Sequence, residues 1–126
     1  MNLEQLRRGI EEFNNRRFFE AHDTLEDLWR ETSGHDKLFL QGLIQVSVGY
    51  YHLLNLNYKG AVSQFSKGLA KLSPYLPAHR GVELEEFHST VTEWYNLAEV
   101  LLNGGAGELD EEKVPKILYQ PEISII

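Results

Sequence analysis

Cysteine is absent from this chain. That excludes a disulfide framework, a thiol nucleophile and any cysteine-ligated zinc or iron–sulfur centre, and it suits a reducing cytoplasm. Basic clusters are almost as scarce: against 12 Lys and Arg stand 19 Asp and Glu, for a net charge of −7. A grip on phosphates needs grouped cations that displace counterions. The nearest such group, Arg7-Arg8 and Arg16-Arg17, is interrupted by Glu11 and Glu12, so nucleic acid is not expected as a partner. The opening Met1-Asn2-Leu3-Glu4-Gln5 lacks the cationic start and apolar stretch of a signal peptide. Nor is there a GxGxxG, a phosphate-cradling glycine loop, a GxSxG or an HExxH-like motif.

What is present is helical periodicity over 126 residues, enough chain for one domain with a core of its own. Leu3, Leu6, Ile10 and Phe13 recur at three- and four-residue steps and predict a first helix closed by Asn14-Asn15. Phe18, Ala21, His22, Leu25, Leu28 and Trp29 make a second apolar stripe, ended by Ser33-Gly34. From Leu38 to Tyr58 no residue is charged, a run long enough to span a bilayer. It nevertheless holds Gln41, Gln45, His52, Asn55 and Asn57, whose burial in lipid is costly. The expectation is therefore no membrane partner but a central third helix, apolar around most of its circumference. A fourth helix, about Tyr58 to Leu72, stops at Pro74 and Pro77. The fifth, about Glu83 to Leu102, carries Leu84, Phe87, Val91, Trp94, Ala98 and Leu101 at seam spacing and closes at Gly104-Gly105.

A shift of about 40 residues lays the first helical hairpin on the second. Gly9 falls on Gly49, Phe18 on Tyr58, Ala21 on Ala61 and Leu25 on Phe65. The order Gly49, Tyr58, Ala61, Phe65 resembles a tetratricopeptide repeat, although Leu56 stands where that repeat favours glycine. The period also exceeds the usual figure of roughly 34 residues. The echo indicates stacked helical hairpins rather than a peptide-binding solenoid.

Two polar groups interrupt the apolar faces. His22 sits in the buried stripe of the second helix with Glu26 one turn on, where a carboxylate can hold the imidazole or share a metal with it. On the third helix Gln41, Gln45 and His52 fall within about 40° of one another at ~100° per residue, a neutral polar seam. If the two helices lie side by side, His22, Glu26, Gln45 and His52 converge, and Trp29 walls the pocket. Such a set could bind a small molecule, supply a general acid and base, or hold a divalent metal through His22, Glu26 and His52. The competing account is structural, a satisfied core histidine and a His–Glu hydrogen bond. Glu20 and Asp27 lie opposite the stripe and read as a solvated face, Glu20 remaining a secondary candidate with Gln41. His35, His79 and His88 lack ligand spacing.

Phe18-Phe19-Glu20-Ala21-His22, Leu25-Glu26 and Trp29, with Gly42-Leu43-Ile44-Gln45, His52 and Gly60-Ala61, resemble the domain of unknown function 309 family. The resemblance covers about residues 5–75. It implies a small helical bundle with recurrent polar positions at Glu20, His22, Glu26, Gln45 and His52, and it adds no established activity.

The fold expected is all-α: about five antiparallel helices, two tetratricopeptide-like hairpins plus a capping helix, over residues 1–107. Residues 108–126 are expected as an extended tail whose closing isoleucines dock on the bundle or on a partner. The leading functional expectation is a small cytoplasmic binding or interaction module, taking a protein partner, a second copy or a small molecule. The alternative is a small-molecule or metal-dependent enzyme using the His/Glu cluster. The second demands an open concave pocket at the polar groups.

Overall fold

Amphipathic stripes, each too apolar to leave in water, bring five helices together in chain order. They are α1 (Leu3–Asn14), α2 (Phe18–Glu31), α3 (Asp36–Leu54), α4 (Tyr58–Leu72) and α5 (Glu85–Leu102). The computed structural model describes residues 1–121; the isoleucines at 123, 125 and 126, expected to dock, fall outside the described residues. Each helix packs on the next, and α3, touching both α2 and α4, is central. Phe39, Leu40, Leu43, Val46, Tyr50 and Leu53 are buried around its circumference. No described helix is long and apolar enough to cross a membrane.

The 40-residue echo of the sequence is an echo of backbone geometry. A Cβ on Gly9 would stand 2.6 Å from Leu25 Cδ2, and one on Gly49 would stand 2.5 Å from Phe65 Cδ1. In both hairpins a bare backbone therefore lets the paired helix bring its large residue close. The connecting turns match bond for bond. Arg16 N–H donates to the Phe13 carbonyl and Leu56 N–H to the Leu53 carbonyl, both at 2.9 Å. Arg16 and Leu56 share φ 62°. The left-handed residue was expected at Asn14-Asn15; it is Arg16, one position on. A side-chain-bearing residue there costs about 1–2 kcal/mol, and the returning carbonyl bonds offset it. Asn14 is thereby left with its amide free for another use.

Between α4 and α5 lies structure that helical periodicity missed. A 3-10 turn (Ser73–Tyr75) leads into β1 (Ala78–His79) and β2 (Val82–Glu83). Arg80 and Gly81 take φ 52° and 79°, the doubly left-handed loop that joins two-residue hairpins. β3 (Leu118–Tyr119) adds antiparallel to β2, with Val82 opposite Tyr119 and Glu83 opposite Leu118. Helix five accordingly starts at Glu85 and not Glu83, because Val82 and Glu83 are extended to serve both neighbours. Residues 108–121 lie along α5 and against the end of α1, and bury Val114 and Ile117 to 3% and 2% exposure.

At the centre Tyr50 is fully buried among the rings of Phe18, Phe65 and Trp94, at centroid separations of 5.4, 4.8 and 5.7 Å. Burial pushes its phenol well above the ordinary range, and its hydroxyl finds no partner among the described residues. A buried, unanswered hydroxyl costs more than the small void it would leave. Tyr50→Phe is expected to stabilise the chain by about 1 kcal/mol, read as a rise of a few degrees in Tm. A fall in Tm would mean that the hydroxyl is satisfied.

Candidate functional site

Phe18 and Phe19 are adjacent on a helix, so both cannot face the core. Phe18 goes inward at 4% exposure, and Phe19 stays half exposed at 51%. One turn on, His22 sits at the edge of the buried stripe. Its Nε2 lies 2.9 Å from Glu26 Oε2, and Glu26 Oε1 accepts from Arg30 Nη2 at 2.6 Å. Nδ1 is 3.2 Å from Asp23 Oδ1 but in no hydrogen-bonding alignment, and that buried nitrogen has no hydrogen-bond partner among the described residues.

Across from α2, helix α3 contributes Val48, Tyr51 and His52. The His52 Nδ1 accepts from Asn57 Nδ2 at 3.3 Å while Asn57 Oδ1 accepts the Gly60 N–H at 3.0 Å, capping α4. A Cβ on Gly60 would lie 2.8 Å from His52 Cδ2. Glycine thus makes room for the imidazole on the first turn of α4. Phe18, Phe19, His22, Val48, Tyr51 and His52 together line one open pocket of about 160 Å³. Its rim is aromatic: Phe19 to Tyr51 is 5.5 Å, Phe19 to His22 5.8 Å and Tyr51 to His52 5.9 Å between ring centroids.

The other sequence candidates go elsewhere. Glu26 stands behind His22, engaged by Arg30. Gln45 turns to α4, where its Oε1 accepts from Lys71 Nζ at 2.9 Å. Gln41, half buried, lies a turn before Gln45, outside the lining. Trp29 does not wall the pocket; Lys37 Nζ lies 4.2 Å over its ring. That same ammonium donates to the Trp29 and Thr32 carbonyls at 3.4 and 3.2 Å, closing the end of α2. Glu20 is exposed to solvent. Among the described residues no three His, Asp or Glu side chains gather as a metal-holding group. The trio His22, Glu26 and His52 is therefore not assembled as a coordination set here. Phe19, Val48 and Tyr51, which complete the pocket, were not among the site residues expected from the sequence. The adjacent aromatics Phe18-Phe19 were the available signal.

A second polar cluster was not anticipated. Asp36, first residue of α3 and 8% exposed, receives Arg80 Nε and Nη2 at 3.1 and 2.9 Å. Its Oδ1 also lies 2.7 Å from His79 Nε2. The guanidinium, aided by His79, holds the carboxyl below its usual range against the opposing pull of burial. Tyr75 Oη donates to the His35 carbonyl at 2.6 Å, and its ring lies 4.8 Å from His79. The cluster ties the β1–β2 hairpin to the start of α3. His88 likewise serves structure, with Nε2 3.0 Å from the Leu69 carbonyl oxygen.

Residues 6–64, which hold most of α1, all of α2 and α3, the first part of α4 and every residue lining the α2–α3 pocket, match the family model described as domain of unknown function (DUF309). No curated protein matches the chain.

Proposed function

We propose that this chain, whose residues 6–64 match the domain of unknown function 309 family model, is a binding module. Its α2–α3 pocket takes one apolar side chain from a protein partner. The observation that carries this reading is the pocket's size and lining. About 160 Å³ is below the roughly 300–1,000 Å³ of cavities that enclose a metabolite, and suits a single anchor side chain held among aromatics. Phe19 and Tyr51 supply apolar contact at the rim, and the rings of His22 and His52 belong to a lining that is almost wholly apolar. The same volume counts against the catalytic alternative. We place the module in the cytoplasm on the strength of its cysteine-free composition.

The test is a titration with N-acetyl-leucine methylamide, followed by NMR on the ring protons of His22 and His52. Both should shift together and saturate in the millimolar range, and Phe19→Ala or Tyr51→Ala should weaken binding about tenfold. His22→Ala should abolish the His52 shift while leaving the fold intact, since the ion-pair contacts of His22 are to Glu26 and Asp23 of its own helix. Its effect on stability should stay within about 1 kcal/mol, as expected for a partly exposed i,i+4 pair. Shifts spread over the surface, or unfolding of His22→Ala, would refute the assignment.

A further inference from the structure

Asn103-Gly104 is the one place in the chain where an asparagine precedes a glycine. The other asparagines precede residues with side chains, as in Asn14-Asn15, Asn55-Leu56, Asn57-Tyr58 and Asn96-Leu97. The difference is chemical. The backbone nitrogen of the following residue can attack the asparagine side chain, and a Cβ on that residue crowds the attack. Glycine has none.

The pair sits on the outside of the end of α5. Both residues are exposed, and a Cβ on Gly104 would meet nothing among the described residues within 4 Å, so no packing closes the approach. Gly104 takes φ 83° and completes a Schellman cap. Its N–H donates to the Leu101 carbonyl at 3.2 Å, and Gly105 N–H donates to the Val100 carbonyl at 2.8 Å. Asn103 Nδ2 donates to the Glu99 carbonyl at 3.0 Å. The attacking nitrogen and the leaving amide are thus each tied by a hydrogen bond, at a helix end, where such bonds open at least cost.

We infer that Asn103 is a site of spontaneous modification, converted to aspartate and isoaspartate, and that the conversion loosens the seating of residues 108–121. When the cap opens, the Gly104 nitrogen gives its proton to hydroxide and bonds to Asn103 Cγ. The Cγ–Nδ2 bond breaks, and Nδ2 leaves as ammonia with a proton from water, so that a cyclic imide remains. Water opens the imide at either carbonyl. One opening gives aspartate; the other gives isoaspartate, whose backbone runs through the former side chain and is one atom longer.

Either product gives up the Nδ2 bond to Glu99 and sets a carboxylate beside the last carbonyls of α5, the helix end that favours cations. The chain beyond is closely placed: a Cβ on Gly107 would stand 2.4 Å from Leu97 Cδ1. Further on, Asn14 pins the segment. Its Nδ2 donates to the Ile117 carbonyl at 3.0 Å and its Oδ1 accepts the Ile117 N–H at 2.7 Å. An extra backbone atom between α5 and Gly107 puts those two holds out of register.

The experiment incubates the full chain in mildly alkaline buffer well below its Tm, then digests it for mass spectrometry. The mass gain of amide to acid should appear first at Asn103, with isoaspartate exceeding aspartate. Gly104→Ala should slow the conversion at least about tenfold. Alanine at φ 83° is itself strained, so Asn103→Gln, whose side chain would have to close a larger ring, is a second block. No gain at Asn103, an equal rate at other asparagines, or a gain on that peptide that persists in both variants overturns the site. Hydrogen exchange reads the consequence. In the aged chain the Ile117 amide should exchange at least about threefold faster than in fresh protein, with those of α3 unchanged, and Asn103→Asp should move it the same way. Equal exchange in fresh and aged chains overturns the loosening.

Discussion

Cutting the chain after Gly107 should lower its stability by about 4–6 kcal/mol. The cut removes Val114 and Ile117 from the core, each worth about 1.5–3 kcal/mol when buried. It also removes the two Asn14 hydrogen bonds, about 1 kcal/mol apiece. The freed chain entropy of the segment returns part of that sum. For a domain of this size the loss corresponds to a fall of about 15–20 °C in Tm, measured by circular dichroism on wild type and the truncated chain. Asn14→Ala alone should show the smaller loss of its two bonds. An unchanged Tm after truncation would mean that the bundle is complete without the segment, and that Val114 and Ile117 add nothing to it.

The second large effect belongs to Asp36. Asp36→Ala should cost about 2–3 kcal/mol at neutral pH. Removing one member of a buried ion pair leaves the other uncompensated, at about 3–5 kcal/mol, and the half-exposed side chain of Arg80, 49% accessible, moderates that. The pH dependence has a definite sign. Arg80 lowers the folded-state carboxyl below its ordinary value, so the native state holds on to the charge where the unfolded chain already binds a proton. The stabilisation is therefore complete above the ordinary carboxylate range, about pH 4, and is lost as pH falls through the lowered value. Melting curves of wild type and Asp36→Ala should stand apart at pH 7 and converge toward pH 2. A gap that persists in strong acid would mean that the side chain acts through shape and not charge.

Both effects lie in parts of the molecule that helical periodicity did not reveal, and the reason is physical. The five helices were legible because their stripes repeat every turn: Phe18, Ala21, Leu25 and Leu28 declare one face without reference to any other residue. The hairpin echo was legible for the same reason, since Gly9 with Leu25 and Gly49 with Phe65 repeat a local steric rule. The β1–β2–β3 sheet has strands of two residues each, too short for an alternation to register. Asp36, His79 and Arg80 meet across more than forty positions, and nothing in their neighbours announces the meeting. The pocket was half legible. His22 and His52 stood out as polar residues on apolar helices, and the structure puts both on one wall-to-wall cavity. Gln45 and Trp29 were drawn in chiefly by position along their own helices, which says nothing about which neighbouring helix a side chain meets. Gln45 turned to Lys71 and Trp29 to Lys37.

The span of the Asn14–Ile117 contact, 103 positions, also sets an order of events. Neighbouring helices pair through short loops, so their contacts close quickly, whereas a loop that encompasses nearly the whole chain is slow to form and gains nothing until the helices are in place. The closing strand is therefore the last piece to arrive during folding and the first to leave during a fluctuation. In hydrogen exchange the amide of Ile117 should open well before those of α3, through a partial unlocking that leaves all five helices standing.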